Sequence, residues 1–477
     1  MDIGRDVIRG LKVGTILRLA AQIFTWINTL ILIRLLTPDD YGLMAMTMAF
    51  IGIFALMGDV GIGKAIIQSE ELSHQRLRQA FTINIMSCLI FFLSFYAVAP
   101  FIASFFSEPK VTVLIQVIAC QHLIMILHTL PYSMASRKML FKEREKVQFY
   151  TTLCTSIFTL TLAFNGFGVW ALVYGHLFMR LVATIGYNII APCWIKPTIN
   201  FQGFSKIAGF SGLATVNDML RYLYNVFSNI SIGKLLSNAD LGVFSVARNL
   251  ANLPSDKMGE LLNHLGLASF AKLQNEKEVA GLYLLKSFRL AGLILFPMYL
   301  GMCAISPELI EFTLSDTWLA VIVPFQILCL ASPFRMLSEL LATAATAVGK
   351  PIKNTRALFA SLLMLPIILA GIEYGLEGAC WAWLIITIIS FSMHMKIILP
   401  VFQVSLTSLF TFLLPGMASA VIMLAGLQWM RFQLDHSIES WLLLTLMIPA
   451  GMGIFIAMIL LLFRNPATEA IRYLRHQ

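Results

Sequence analysis

Arg18, Gln22, Thr25 and Thr29 recur along one face of an otherwise apolar stretch, at i, i+4, i+7 and i+11. Asn217, Arg221, Tyr224 and Ser228 repeat that spacing farther along, with Asp218 adjacent and Asn225 one turn beyond Arg221. Arg180, Arg248, Arg335 and Glu339 add charge to other apolar segments. A guanidinium favours one chemistry: its planar fork holds phosphate or carboxylate through two hydrogen bonds and never deprotonates. At mid-membrane it costs some ~2.5 kcal/mol or more, so there it faces protein or water. The stripes therefore read as the wall of a cationic, hydrated cavity for an anionic polar substrate. Its contacts are Arg18, Gln22, Arg180, Arg221, Asn225, Arg248 and Arg335.

Plainer readings stand beside this one. Arg18 lies near the end of its segment and can snorkel to the interface. Asp218 with Arg221 forms an i, i+3 ion pair. Asp59 with Lys64, and Asp256 with Lys257 and Glu260, read as gate or interface ion pairs. His122, His128 and His176 either relay protons or make satisfied polar contacts inside a bundle.

Other signals are turned down. Gly58 to Ala65 comes within one residue of a phosphate-binding P-loop, but Ala65 lacks the hydroxyl that would bind magnesium, and the segment ends an apolar helix rather than following a strand. The seven cysteines lie in or beside apolar segments without paired spacing and read as free core thiols. No cofactor, no metal and no covalent catalysis is expected.

The elements that position these residues follow from composition. Of 477 residues, 58% are hydrophobic and 12% charged, against about one-quarter charged in a soluble domain. Uncharged runs such as Gln79 to Ser107, Val147 to Met179 and Ser440 to Phe463 exceed the ~18 residues that suggest a membrane-crossing helix. They are apolar all round, without the alternation of a membrane β-barrel. The expected fold is an all-α polytopic membrane protein of about 14 crossings at ~20 residues each. Lys and Arg gather in alternate loops, with Arg137, Lys138, Lys142, Arg144 and Lys146 in one of them. By the positive-inside rule that side is cytoplasmic, and both termini share it. The net charge of +9 then sets topology beside an anionic leaflet rather than marking nucleic-acid binding.

An internal repeat organises the spans. Leu36–Leu43 reappears as Leu236–Val243, and Asn165–Trp170 resembles Tyr374–Trp381. Each copy holds an even number of helices, so the repeat is parallel, about an axis along the membrane normal. The expected architecture is two pseudo-symmetric six-helix bundles, 1–200 and 201–400, around a central cavity, with two helices appended in 401–477.

These residues resemble those of a known family. Leu36–Leu43, Gly58–Gln68, Ala268–Gln274 and Trp318–Leu330 are similar to the polysaccharide transporter family, the flippases of lipid-linked oligosaccharides, especially its colanic-acid-exporter-like branch. The family falls in the multidrug/oligosaccharidyl-lipid/polysaccharide superfamily. The resemblance implies a bacterial inner-membrane protein that moves an undecaprenyl-pyrophosphate-linked repeat unit outward by alternating access, with polysaccharide polymerase and export machinery as partners. It also suits Arg18 and Arg221 as carriers of pyrophosphate or acidic sugars. Two alternatives remain. A multidrug antiporter would want an acid where Arg18 stands, and a membrane polysaccharide polymerase would want large extracytoplasmic loops.

Overall fold

Apolar segments inside a bilayer must satisfy their backbone polar groups internally, and helices do so along their whole length. The computed structural model describes residues 3–58, 63, 66–67, 73–198, 212–272, 276–434 and 439–462. Within these, the side chains at 3–16, 53–58, 212–216, 218, 256–269, 271–272 and 462 lie outside the description. Every regular element among the described residues is helical. Ten stretches there are long and apolar enough to cross a membrane, and a further pair passes the same test together, bent by 120° at residues 36–37. The chain is a multi-pass membrane protein.

The chain divides into two compact units, Met1–Met219 and Leu220–Gln477. The first holds α1 (Ile3–Leu35), α2 (Pro38–Gly58), α3 (His74–Phe106), α4 (Lys110–Ala119), α5 (Gln121–Arg137), α6 (Phe141–Phe164) and α7 (Val169–Ile190). In it α6 lies along both α1 and α7, and α5 packs against α7. Helix α8 (Gly212–Leu235) leads into the second unit.

The second unit continues with α9 (Asn238–Lys272), α10 (Lys277–Ala304), α11 (Ser306–Thr313), α12 (Ile322–Ala347), α13 (Pro351–Leu362), α14 (Ile367–Ile372), α15 (Gly375–Ile398), α16 (Leu406–Leu434) and α17 (Ser440–Leu462). Here α12 packs against both α9 and α15, and α16 against both α10 and α17. A Cβ on Gly416 would stand 2.6 Å from the Gly292 carbonyl oxygen, so α10 and α16 touch backbone to backbone. Small residues permit that approach in a bilayer, where packing rather than water exclusion drives association.

Two of the ten stretches, Lys110–Arg137 and Pro351–Ile372, are interrupted locally, at Cys120 and at residues 363–366. Pro366 explains the second break, since it brings no N–H and disfavours helical backbone at the residue before it. Helices α8 and α9 fall outside the ten apolar stretches. They carry Arg221, Lys234, Asp240 and Arg248 among polar residues, and the second also Asp256, Lys257 and Glu260.

The repeated turns are built alike. The Asp40 carboxylate accepts from the Thr37 amide at 3.0 Å and its hydroxyl at 2.8 Å, while Thr37 Oγ1 accepts from the Asp40 amide at 3.3 Å. Asp240 and Ser237 make the same three bonds at 3.2, 2.6 and 3.1 Å. Both are reciprocal caps that satisfy orphan N–H groups at a helix start. Gly166 and Gly375, in the second pair of matched turns, both take positive φ (75° and 76°).

Candidate functional site

Three predicted cations converge inside the second unit, supplied by α8, α9 and α12. Arg221 lines a pocket with Tyr224, Asn225, Arg335, Glu339, Asn354 and His394. Asn225 and Arg335 also border an adjoining cavity of about 220 Å³, whose other walls include Arg248, Asn249, Asn252, Ser332 and Trp383. Sequence spacing brings this about: Arg221 and Asn225 share one face of α8, while Arg248, Asn249 and Asn252 lie at i, i+1 and i+4 of α9.

Hydrogen bonds fix each cation differently. Arg248 Nη1 donates to the Asn225 carbonyl at 2.8 Å and to Ser228 Oγ at 3.3 Å, with its guanidinium 5.4 Å from the Phe244 ring centroid. Arg335 donates to Asn252 Oδ1 at 2.8 Å, Ser255 Oγ at 2.9 Å and Glu339 Oε1 at 3.2 Å. Glu339 thus offsets one positive charge. Among the described residues no carboxylate pairs with Arg221 or Arg248. The Asn354 carboxamide is buried, and its Oδ1 has no partner among the described residues. The cavity is therefore a net-positive, amide-rich chamber within an apolar protein. It offers donors on several sides, which is what a phosphorylated or acidic, hydroxyl-rich ligand needs in place of water.

The first unit treats its predicted residues otherwise. Arg18 forms a two-bond ion pair with Glu145 at the head of α6, Nε to Oε2 at 3.3 Å and Nη2 to Oε1. Its side chain is about half exposed (54%) and that of Glu145 less so (21%). The polar stripe below Arg18 is weaker than its composition suggests. Thr25 and Thr29 donate to the carbonyls of Ala21 and Thr25 on their own helix, and Gln22 is half-buried. Arg180 on α7 has a buried Nε that lacks an acceptor among the described residues. Asp59 and Lys64 lie outside the described residues, as do the side chains of Asp218, Asp256, Lys257 and Glu260.

Comparison with known proteins can now be set on this geometry. A family model described as polysaccharide biosynthesis protein matches residues 31–323, more than half of the chain. The chain belongs to that family. Lipopolysaccharide biosynthesis protein WzxC of Escherichia coli is 22% identical over 82% of this chain and 80% of its own length. Teichuronic acid biosynthesis protein TuaB of Bacillus subtilis is 21% identical over 74% of each. Among solved structures, lipid II flippase MurJ in an inward closed conformation aligns with TM-score 0.76 at 13% identity, covering 95% of this chain and 99% of that one. A multidrug-resistance MATE transporter of the MOP superfamily, inward-facing, gives 0.58 at 15% identity, over 87% and 98%. The two structures share the fold of this polysaccharide biosynthesis family member.

Sequence reasoning reaches Arg221, Asn225, Arg248 and Arg335 of the cavity but passes over Asn249, Asn252, Asn354 and His394. A signal for the first two is present: Arg248-Asn249 and Asn252 make a polar patch at i, i+1 and i+4 on a helix. Glu145 reads as one more loop charge beside Lys142, Arg144 and Lys146, and only the contact between α1 and α6 reveals its partner.

Proposed function

We propose that this protein is a flippase for a lipid-linked oligosaccharide, carrying an undecaprenyl-pyrophosphate-linked repeat unit across the bacterial inner membrane for exopolysaccharide or O-antigen synthesis. The cavity of Arg221, Arg248 and Arg335 with Asn225, Asn249 and Asn252 carries the reading. An unaided crossing would strip hydroxyls and phosphates of water, at roughly 2 kcal/mol or more per unsatisfied group. Guanidinium and carboxamide groups replace that water: the arginines take the negative charge, and the amides take sugar hydroxyls in either donor or acceptor role. The polyprenyl tail needs no such help and stays in lipid. Alternating access then delivers the headgroup from the cytoplasmic to the opposite face, with both termini and the basic loops on the cytoplasmic side. Family membership and the names of WzxC and TuaB support a role in surface polysaccharide assembly. The MATE likeness raises the multidrug antiporter, but organic cations are repelled by a chamber whose charge is net positive.

Deletion of the gene in its native host tests this. Surface polymer should disappear and lipid-linked repeat units accumulate, with both effects reversed by the intact gene. Normal polymer in the deletion strain would overturn the proposal.

A further inference from the structure

The pocket around Arg221 differs in chemistry from the cavity beside it. It holds about 50 Å³, against about 220 Å³ for that cavity, yet one water needs only ~10–15 Å³. Two polar groups in its wall are unanswered. Asn354 on α13 is 3% exposed, and its Oδ1 has no partner among the described residues. His394 on α15, equally buried, has Nδ1 2.8 Å from the Ser390 carbonyl. A carbonyl oxygen only accepts, so Nδ1 carries the proton and Nε2 of the neutral ring is an acceptor. Among the described residues nothing donates to that nitrogen.

The aliphatic hydroxyls in the wall spend their protons elsewhere. Ser338 donates to the Phe334 carbonyl at 2.9 Å and Thr387 to the Trp383 carbonyl at 2.8 Å. Ser390 Oγ lies 2.7 Å from Ser361 Oγ, whose own proton goes to the Ala357 carbonyl at 2.8 Å, so Ser390 is the donor of that pair. To a ligand the pocket therefore shows acceptors from α13 and α15, and a donor from α8 in the Arg221 guanidinium. The rest of the wall is mostly apolar and includes Leu358 and Ala342. An ionised phosphate or carboxylate has no proton to give Asn354 or His394, and its lone pairs would oppose theirs. A cation would be repelled by Arg221 and Arg335, and no cluster of metal ligands occurs among the described residues. A hydroxyl has the donor but leaves the apolar wall uncovered. A secondary amide such as acetamido has a donor N–H, an acceptor carbonyl and a small apolar end.

We propose that the pocket of Arg221, Asn354 and His394 is a subsite for the N-acyl group of an amino sugar, the sugar attached to the pyrophosphate. The amide N–H donates to Asn354 Oδ1 or His394 Nε2, Arg221 donates to the amide oxygen, and the methyl packs on Leu358 and Ala342. Asn225 and Arg335 wall both this pocket and the adjoining cavity. An acyl group in one and a pyrophosphate against Arg248 in the other thus belong to neighbouring parts of one ligand. Such a pocket confers specificity, because a site built around a hydrogen bond rejects the analogue that cannot make it. For its ligand the subsite rests on the flippase reading.

Native mass spectrometry of the purified full-length protein reads the binding. The probes, at equal concentration, are undecaprenyl pyrophosphate alone and the same lipid bearing N-acetylglucosamine or glucose. Wild type should hold the N-acetylglucosamine lipid about ten-fold more tightly than the glucose lipid, roughly the worth of one buried hydrogen bond. Equal affinity for the two sugars overturns the subsite without recourse to any variant. Asn354→Ala removes an orphaned carbonyl rather than a bond within the protein, and should erase the preference while leaving the glucose lipid and the bare lipid bound as in wild type. A preference that survives in Asn354→Ala overturns the inference. Ala342→Leu fills the space assigned to the methyl and should weaken binding of the N-acetylglucosamine lipid alone; undiminished binding of that lipid likewise overturns it. Failure of the flippase reading looks different: none of the lipids binds, or surface polymer stays normal in the deletion strain, and the subsite then falls with it.

Discussion

Arg221 and Arg248 carry charge that no described carboxylate neutralises, while Arg335 shares its charge with Glu339 and Arg18 with Glu145. That difference sorts the arginines. Losing a charged hydrogen-bond donor to substrate costs about 1.5–3 kcal/mol, or ten-fold and upward in rate. Arg221→Ala and Arg248→Ala should therefore each lower polymer export at least about ten-fold while membrane abundance, read by immunoblot, stays near wild type. Arg18 behaves as half of a pair. Arg18→Glu and Glu145→Arg should each impair export, and the double reversal should recover it. Failure of the double variant to recover would return Arg18 to direct substrate contact. Arg18 and Arg221 are legible in the sequence because each stands in a polar stripe of helical spacing. Glu145, Asn252 and Asn354 are not, because their meaning depends on which helices meet, and periodicity along one helix carries no such information.

Helix ends and helix pairs hold the cavity walls in register. The α1–α2 and α8–α9 turns use the same reciprocal cap, but Asp40 also accepts from the Val169 amide at 2.8 Å and so ties a second turn to the first. Thr37→Ala and Ser237→Ala should each cost about 1 kcal/mol, with Asp40→Ala more damaging than Asp240→Ala. Thermal melting in detergent ranks the four. At the far end of α16, Arg431 donates from Nε to Glu308 Oε1 at 2.6 Å and from Nη2 to the Ala304 carbonyl, in a largely buried pair (15% and 5% exposed). Removing one partner strands the other, so Arg431→Ala should destabilise by about 3 kcal/mol. An unchanged melting temperature would show that the pair does not hold α16 to α11. Both caps are visible beforehand as Thr or Ser followed by Asp at the third position. The Arg431–Glu308 pair is invisible, because the two residues lie far apart in sequence in segments that each read as an ordinary loop edge. The break at Pro366 is legible in principle, yet a hydropathy window averages across it.

At the level of the chain, a polytopic helical membrane protein follows from composition alone, since an almost uncharged run longer than a bilayer is thick has few other solutions. The likeness of the two turns is equally readable, because both make the same bonds and so keep the same residues. Direction of transport and identity of the cargo lie beyond periodicity. On the proposed function they depend on a headgroup meeting the Arg221–Arg248–Arg335 cavity. The most direct measurement is the leaflet in which the lipid-linked repeat unit resides. Spheroplasts of the deletion strain, and of the same strain carrying the intact gene, are exposed to a membrane-impermeant lectin or glycan-oxidising label. The repeat unit should be shielded from the label in the deletion strain and become accessible when the gene is restored. Equal accessibility in both strains would mean that something else turns the molecule over, and would contradict the account.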